Sequence, residues 1–253
     1  MSSLSYQPSA ALFTIPSFAY AIVIGSAGGA GMYRLTGVIV AVHALAHLLP
    51  WRVPRDDRTV FGYWFEAVAC AAPLTAGALT WAFVAPGGAL MTAIAGGRLA
   101  AGFLVAPFVA AFLIRLSGVD LRALRTGDLA FLAGPLPAHR AVARLSTMTS
   151  AIFAEEVIFR AVPAGLTSSG PLAMAVGATA FVSGHHMVRG SADRWSWPIL
   201  RYEVAAAGMF AVLIAMSGSV WPAVAAHGVA NLPQAILDVQ RARPDLTSEV
   251  ASG

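Results

Sequence analysis

The segment Ala154-Glu155-Glu156-Val157-Ile158-Phe159-Arg160 sets three ionised side chains inside an apolar run covering residues 145–166. A run of this length can span a bilayer. A charged group at the centre of such a helix costs roughly 2.5–3.5 kcal/mol on insertion scales, so it is expected to face a polar interior and to have a role there. Glu156 and Arg160 stand four residues apart, share a helix face and are expected to pair, each neutralising the other. Glu155 points about 100° away and lacks that partner. A carboxylate withdrawn from water without a full counter-charge is a stronger base than one on a surface, which is what water activation near neutral pH requires. Glu155 is therefore the expected general base, and Glu156–Arg160 the expected structural pair. Pro163, just beyond, frees a backbone carbonyl and is expected to kink the helix end.

Two later stretches carry further chemistry. One apolar run closes with Phe181-Val182-Ser183-Gly184-His185-His186, and either histidine could be the functional one on spacing alone. The last run holds His227 and Asn231 at helical i, i+4 spacing, on one face.

The elements that must position these residues are membrane spans. The chain has 253 residues, 58% hydrophobic and only 11% charged, against roughly 25% charged in a soluble domain. Apolar runs at 12–31, 35–49, 61–84, 99–116, 145–166, 171–186, 202–217 and 220–239 predict an all-α, polytopic membrane bundle of about eight transmembrane helices. All sixteen basic residues are arginine, a usage that points to a GC-rich, bacterial genome. Thirteen of them fall on one side of the eight spans, only Arg34 and Arg98 fall on the other, and Arg160 lies within a helix. Short cytoplasmic loops carry excess basic residues, so both termini are expected in the cytoplasm and the protein in the inner (plasma) membrane. The net charge of +4 thus reads as topology, and no nucleic-acid partner is expected. The start of the chain lacks the basic segment of a cleavable signal, so the first run is read as a retained span.

The expected organisation is one membrane domain, 1–253: N-terminal helices 1–117, a cytoplasmic connection 118–144, catalytic helices 145–239 and a polar tail 240–253. The connection contains Asp120-Leu121-Arg122-Ala123-Leu124-Arg125, which reads equally as a short interfacial amphipathic helix or as a solvated loop. Asp238, near the cytoplasmic end of the last run, is read as solvated. Counting helix rise at about 1.5 Å per residue from that same side, Glu155, His185, His227 and Asn231 can meet at one cavity open to the cytoplasm.

Taken in chain order, Glu-Glu-x-x-x-Arg at 155–160, Phe-x-x-x-His at 181–185 and His-x-x-x-Asn at 227–231 resemble the CPBP (Abi) family of CAAX-type intramembrane proteases, which includes the type II CAAX prenyl proteases. The resemblance implies an eight-helix intramembrane endopeptidase acting on a peptide or membrane-protein substrate. It implies that Glu155 activates a water, that His185 assists, and that His227 and Asn231 hydrogen-bond the oxyanion. Glu156, Arg160 and Phe181 would support the site, Phe181 also setting the register that selects His185 over His186. The implied chemistry is metal-free; were zinc used instead, Glu155, His185 and His227 would be its ligands. Donors of this kind are worth about 3 kcal/mol each to a tetrahedral intermediate.

Other readings stay open on sequence alone. A proton- or ion-coupled transporter could use the same buried polar set, although neither inverted repeats nor half-helices are visible. A catalytically silent membrane scaffold could retain it. His43 and His47, also at i, i+4 spacing, form a possible metal pair with Glu66, or make interhelical hydrogen bonds. The glycine-rich segment 25–31 is read as close helix packing or a flexible helix end, and not as a phosphate loop. His-Glu-x-x-His, which would mark a zinc protease, is absent from the chain.

Overall fold

A computed structural model describes residues 8–27, 31–48, 60–84, 97–166, 170–188 and 197–243. Every element among them is helical. In chain order these are α1 (Pro8–Ala27), α2 (Gly31–Leu48), α3 (Val60–Val84), α4 (Gly97–Ser117), the short α5 (Leu121–Thr126) and α6 (Asp128–Ala133), then α7 (Ala138–Glu156). The last runs on through a π-helical turn, Val157–Ala161, into Val162–Ala164, and is followed by α8 (Gly170–Val188), α9 (Trp197–Ser217) and α10 (Trp221–Arg241). The all-α expectation holds for these residues. By length and composition, α4 and α9 qualify as membrane-crossing helices among the described residues.

Large apolar side chains face outward as well as into the apolar core. Ile22, Phe83, Leu104 and Phe108 are at least 70% exposed, while the buried polar set includes Glu156, Arg160, Glu203 and His227. Large apolar residues turned outward in such number are stable only against lipid or another apolar surface. Inside, α7 lies between α3 and α10, α8 packs on α1 and α9, and α4 rests against both α9 and α10. Small residues set the closest approaches. A Cβ on Gly37 would stand 2.5 Å from the Ala21 carbonyl and 3.1 Å from Gly25 Cα, so α1 and α2 touch backbone to backbone. This agrees with the packing role expected for Gly25; residues 28–30 of that segment lie outside the described residues.

Polar side chains tie the remaining helices together. Trp81 Nε1 donates to Thr36 Oγ1 at 2.6 Å, joining α3 to α2. Arg98, at the start of α4, donates to the Met216 and Ala215 carbonyls at 3.0 and 2.9 Å. It thereby satisfies backbone groups that the end of α9 leaves without helical donors.

Two features differ from the reading of the sequence. Asp238 is buried, not solvated: its carboxylate accepts from Arg144 Nε at 2.9 Å and from Gln234 Nε2 at 2.9 Å. The pair ties α10 to α7, and a polar face on each helix makes it possible. Helix α7 also begins at Ala138, ahead of the apolar run that starts at 145, because its first turns are amphipathic rather than uniformly apolar. The side chains of His47, Glu66 and Cys70, and with them the possible metal pair of α2, lie outside the described residues.

Candidate active site

The site is built around an irregularity in one helix. Pro163 has no N–H, so the carbonyls one turn before it lose their usual backbone donor. Around them the helix widens into the π turn Val157–Ala161, and such turns occur disproportionately at functional sites. The Ile158 carbonyl is instead satisfied from outside: Tyr20 of α1 donates its hydroxyl to it. Tyr20 is fully buried, its ring 5.4 Å from that of Phe159. Gly177 of α8 lets the third helix in, since a Cβ there would lie 3.0 Å from both the Phe159 carbonyl and the Tyr20 ring. Removing the donor with Tyr20→Phe leaves a buried carbonyl unsatisfied, at a cost of about 1–3 kcal/mol. Thermal unfolding in detergent is expected to show that loss, and an unchanged midpoint would mean the turn holds without Tyr20.

The widened turn carries Arg160 inward. Its Nη1 donates to Glu156 Oε1 at 2.7 Å, the i, i+4 pair expected from the spacing, and both side chains are almost wholly buried. The guanidinium also lies over two aromatic faces, 4.1 Å from the Phe181 centroid and 5.3 Å from that of Phe210. Cation–π attraction of this kind strengthens when water is excluded. Phe181 therefore has a physical part in the site, as a platform for the buried cation. Phe210, on α9, was not found from the sequence: no local spacing marks it, and only the approach of α9 to α7 and α10 places it.

Glu156 has a second partner. His227 Nδ1 lies 2.8 Å from the same Oε1 oxygen. A carboxylate only accepts, so Nδ1 carries the proton, which fixes the ring with Nε2 pointing the other way. Phe210 stacks on this ring, centroids 4.9 Å apart and planes within 22°. Nε2 then faces Glu155, 4.0 Å from its Oε2.

From α8, His185 approaches the same oxygen: its Nε2 is 3.6 Å from Glu155 Oε2. Its Nδ1 lies 3.0 Å from the Phe181 carbonyl one turn earlier, which can only accept. In the neutral ring Nδ1 is thus protonated and Nε2 is the basic nitrogen. The side chain of His186 lies outside the described residues. Asn231, half-buried, follows His227 by one turn on the same face of α10.

The structure thus brings Glu155, His185 and His227 together from three helices, with Glu156, Arg160 and Phe181 behind them. Exposure grades outward. The side chain of Glu156 is 0% exposed and that of Arg160 3%, whereas Glu155 is 13% and His185 27% exposed. The inner pair is sealed, and the outer carboxylate and imidazole can be reached. Among the described residues no group of three or more His, Cys, Asp or Glu side chains is arranged to hold a metal ion.

A comparison with protein-family models matches residues 137–233 to the type II CAAX prenyl endopeptidase Rce1-like family. No curated protein and no solved structure matches the chain. The matched segment begins at the start of α7 and ends in α10 just past Asn231, so it contains Glu155, His185, His227 and Asn231. Over that segment, less than half of the chain, the protein is similar to the type II CAAX prenyl endopeptidase Rce1-like family.

Proposed function

We propose that this protein is an intramembrane endopeptidase that hydrolyses a peptide bond of a membrane-associated peptide or protein, with Glu155 activating the attacking water. The observation that carries the proposal is the meeting at one Glu155 oxygen of two imidazole nitrogens, at 3.6 and 4.0 Å, each brought by a different helix. Because Nε2 of neutral His185 is basic, a water between it and Glu155 gives one O–H to each and turns a lone pair outward. That lone pair attacks the carbonyl carbon while Glu155 takes the proton, which is later passed to the leaving amine.

The oxyanion formed in that step needs donors. Asn231 supplies an amide N–H. His227 already commits its Nδ1 proton to Glu156, so its Nε2 donates only when the ring is doubly protonated. Glu156 then holds the ring in place in the way a buried carboxylate orients the histidine of a serine protease. Phe181 and Phe210 confine Arg160, which holds Glu156. In this reading Glu155, His185, His227 and Asn231 are the catalytic residues, and Glu156, Arg160 and Phe181 position them.

The reading extends to the membrane. Outward-facing Ile22, Val38, Phe83, Val142, Leu172 and Leu232 lie on the six long helices other than α4 and α9, which supports spans by all eight long helices. The bias of arginines to one side supports cytoplasmic termini, an inner-membrane location and cleavage near the cytoplasmic face. No metal takes part in this scheme. Purified protein in proteoliposomes, offered a panel of membrane-associated peptides, is expected to yield mass-resolved products to the same extent before and after treatment with a strong chelator. Loss on chelation and recovery with zinc would replace the metal-free scheme with one using Glu155, His185 and His227 as ligands.

A further inference from the structure

The connection between α4 and α7 forms a compact two-helix hairpin whose two faces differ. Asp120 caps α5 by accepting from the backbone N–H groups of Arg122 and Ala123 at 2.9 and 3.1 Å. Gly127 and Gly134, at φ 87° and 73°, make the turns on either side of α6. The inner face, with Leu124 and Ala130 buried, is fastened to the last helix. Gln240 Nε2 donates to the Leu124 carbonyl at 2.9 Å, Arg241 Nε to the Gly134 carbonyl at 2.7 Å, and Leu136 N–H to the Arg241 carbonyl at 2.9 Å.

The outer face carries three large, uncovered apolar side chains. Leu121, Phe131 and Leu132 are 54%, 68% and 79% exposed. Their position relative to the bilayer follows from chain length. Helix α5 starts four residue steps after α4 ends, so Leu121 lies within about 14 Å of the end of α4. On the membrane reading, the outward side of α4, with Leu104 and Phe108 more than 70% exposed, faces lipid. Exposed Arg122 and Arg125 flank the same patch, and Arg115 stands in the last turn of α4. Large apolar side chains at the level of a membrane surface, edged by guanidinium groups, match the boundary between acyl chains and anionic headgroups.

We propose that the α5–α6 hairpin is an in-plane membrane anchor, inserting Leu121, Phe131 and Leu132 at the interface of an anionic bilayer and holding the end of the helix that carries His227 and Asn231. This rests on the membrane reading and is independent of the protease reading. The test is site-directed spin labelling in a Cys70→Ala background. Single cysteines replace Leu132, Phe131 or Phe108, in nanodiscs of phosphatidylcholine and phosphatidylglycerol. Relaxation by oxygen reports lipid, and relaxation by a water-soluble nickel chelate reports solvent.

Labels at 131 and 132 are expected to respond mainly to oxygen, as at 108. Replacing phosphatidylglycerol by phosphatidylcholine is expected to make the hairpin labels shallower. Nickel-dominated relaxation at 131 and 132, with 108 still oxygen-dominated, would overturn the anchor and leave the membrane reading standing. Nickel dominance at 108 as well would overturn the membrane reading itself. Labels at 131 and 132 shielded from both agents would show a protein contact and overturn the anchor, and depth independent of lipid charge would overturn the anionic partner.

Discussion

Glu155→Gln is expected to reduce turnover of a verified peptide substrate by at least about 10²–10⁴-fold, the range that a positioned general base contributes. The loss should fall on kcat and leave KM nearly unchanged, because an amide keeps the size and hydrogen-bonding capacity of the side chain but cannot take a proton from water. Stability should hardly change. Glu155 has its imidazole neighbours at 3.6 and 4.0 Å, beyond direct hydrogen-bond distance, so the folded state gives up little when the charge is removed. An unaltered melting temperature with activity lost is the expected signature. Full activity in a folded Glu155→Gln protein would overturn the mechanism, and equal loss of folding and activity would recast Glu155 as structural.

Glu156→Gln should do the opposite first. Arg160 is 3% exposed and Glu156 Oε1 is its ion-pair partner, an oxygen that also accepts from His227. Neutralising the acid leaves a buried guanidinium without a counter-charge, which costs about 3–5 kcal/mol. That is a large part of the roughly 5–15 kcal/mol that holds a typical domain folded. The aromatic faces of Phe181 and Phe210 offset only a fraction of it. The expected result is a lower yield and a markedly lower unfolding midpoint. The double variant Glu156→Gln with Arg160→Met removes both charges and should recover most of the stability. Should the double variant be no more stable than the single, the ion pair is not what the single change broke.

These two expectations separate neighbouring residues of the same type, and the sequence separated them for a simple reason. On any helix an acid and a base four residues apart meet, whereas the residue beside the acid points elsewhere. Such intrahelical relations were legible throughout: the Glu156–Arg160 pair, the Phe181–His185 turn, and the shared face of His227 and Asn231. So was the all-helical character, because composition and long apolar runs leave little else that satisfies backbone groups in a membrane. The proline at 163 announced a break in the helix, although not its form.

What lay beyond the sequence are the relations between helices. The Tyr20 hydroxyl reaches the Ile158 carbonyl across 138 positions, and His227 reaches Glu156 across 71. Nothing in local spacing encodes either distance, since each depends on how whole helices pack. The burial of Asp238 against Arg144 and the stacking of Phe210 over His227 are of the same kind. The sequence by itself determined which side chains each helix presents on a face, because the period of the helix is set by its backbone hydrogen bonds. Only the tertiary structure decided which faces meet. It thereby assigned Glu156 to two partners at once and left Glu155 as the carboxylate facing both His185 and His227, because packing across the bundle sets the distances between helices that sequence spacing cannot.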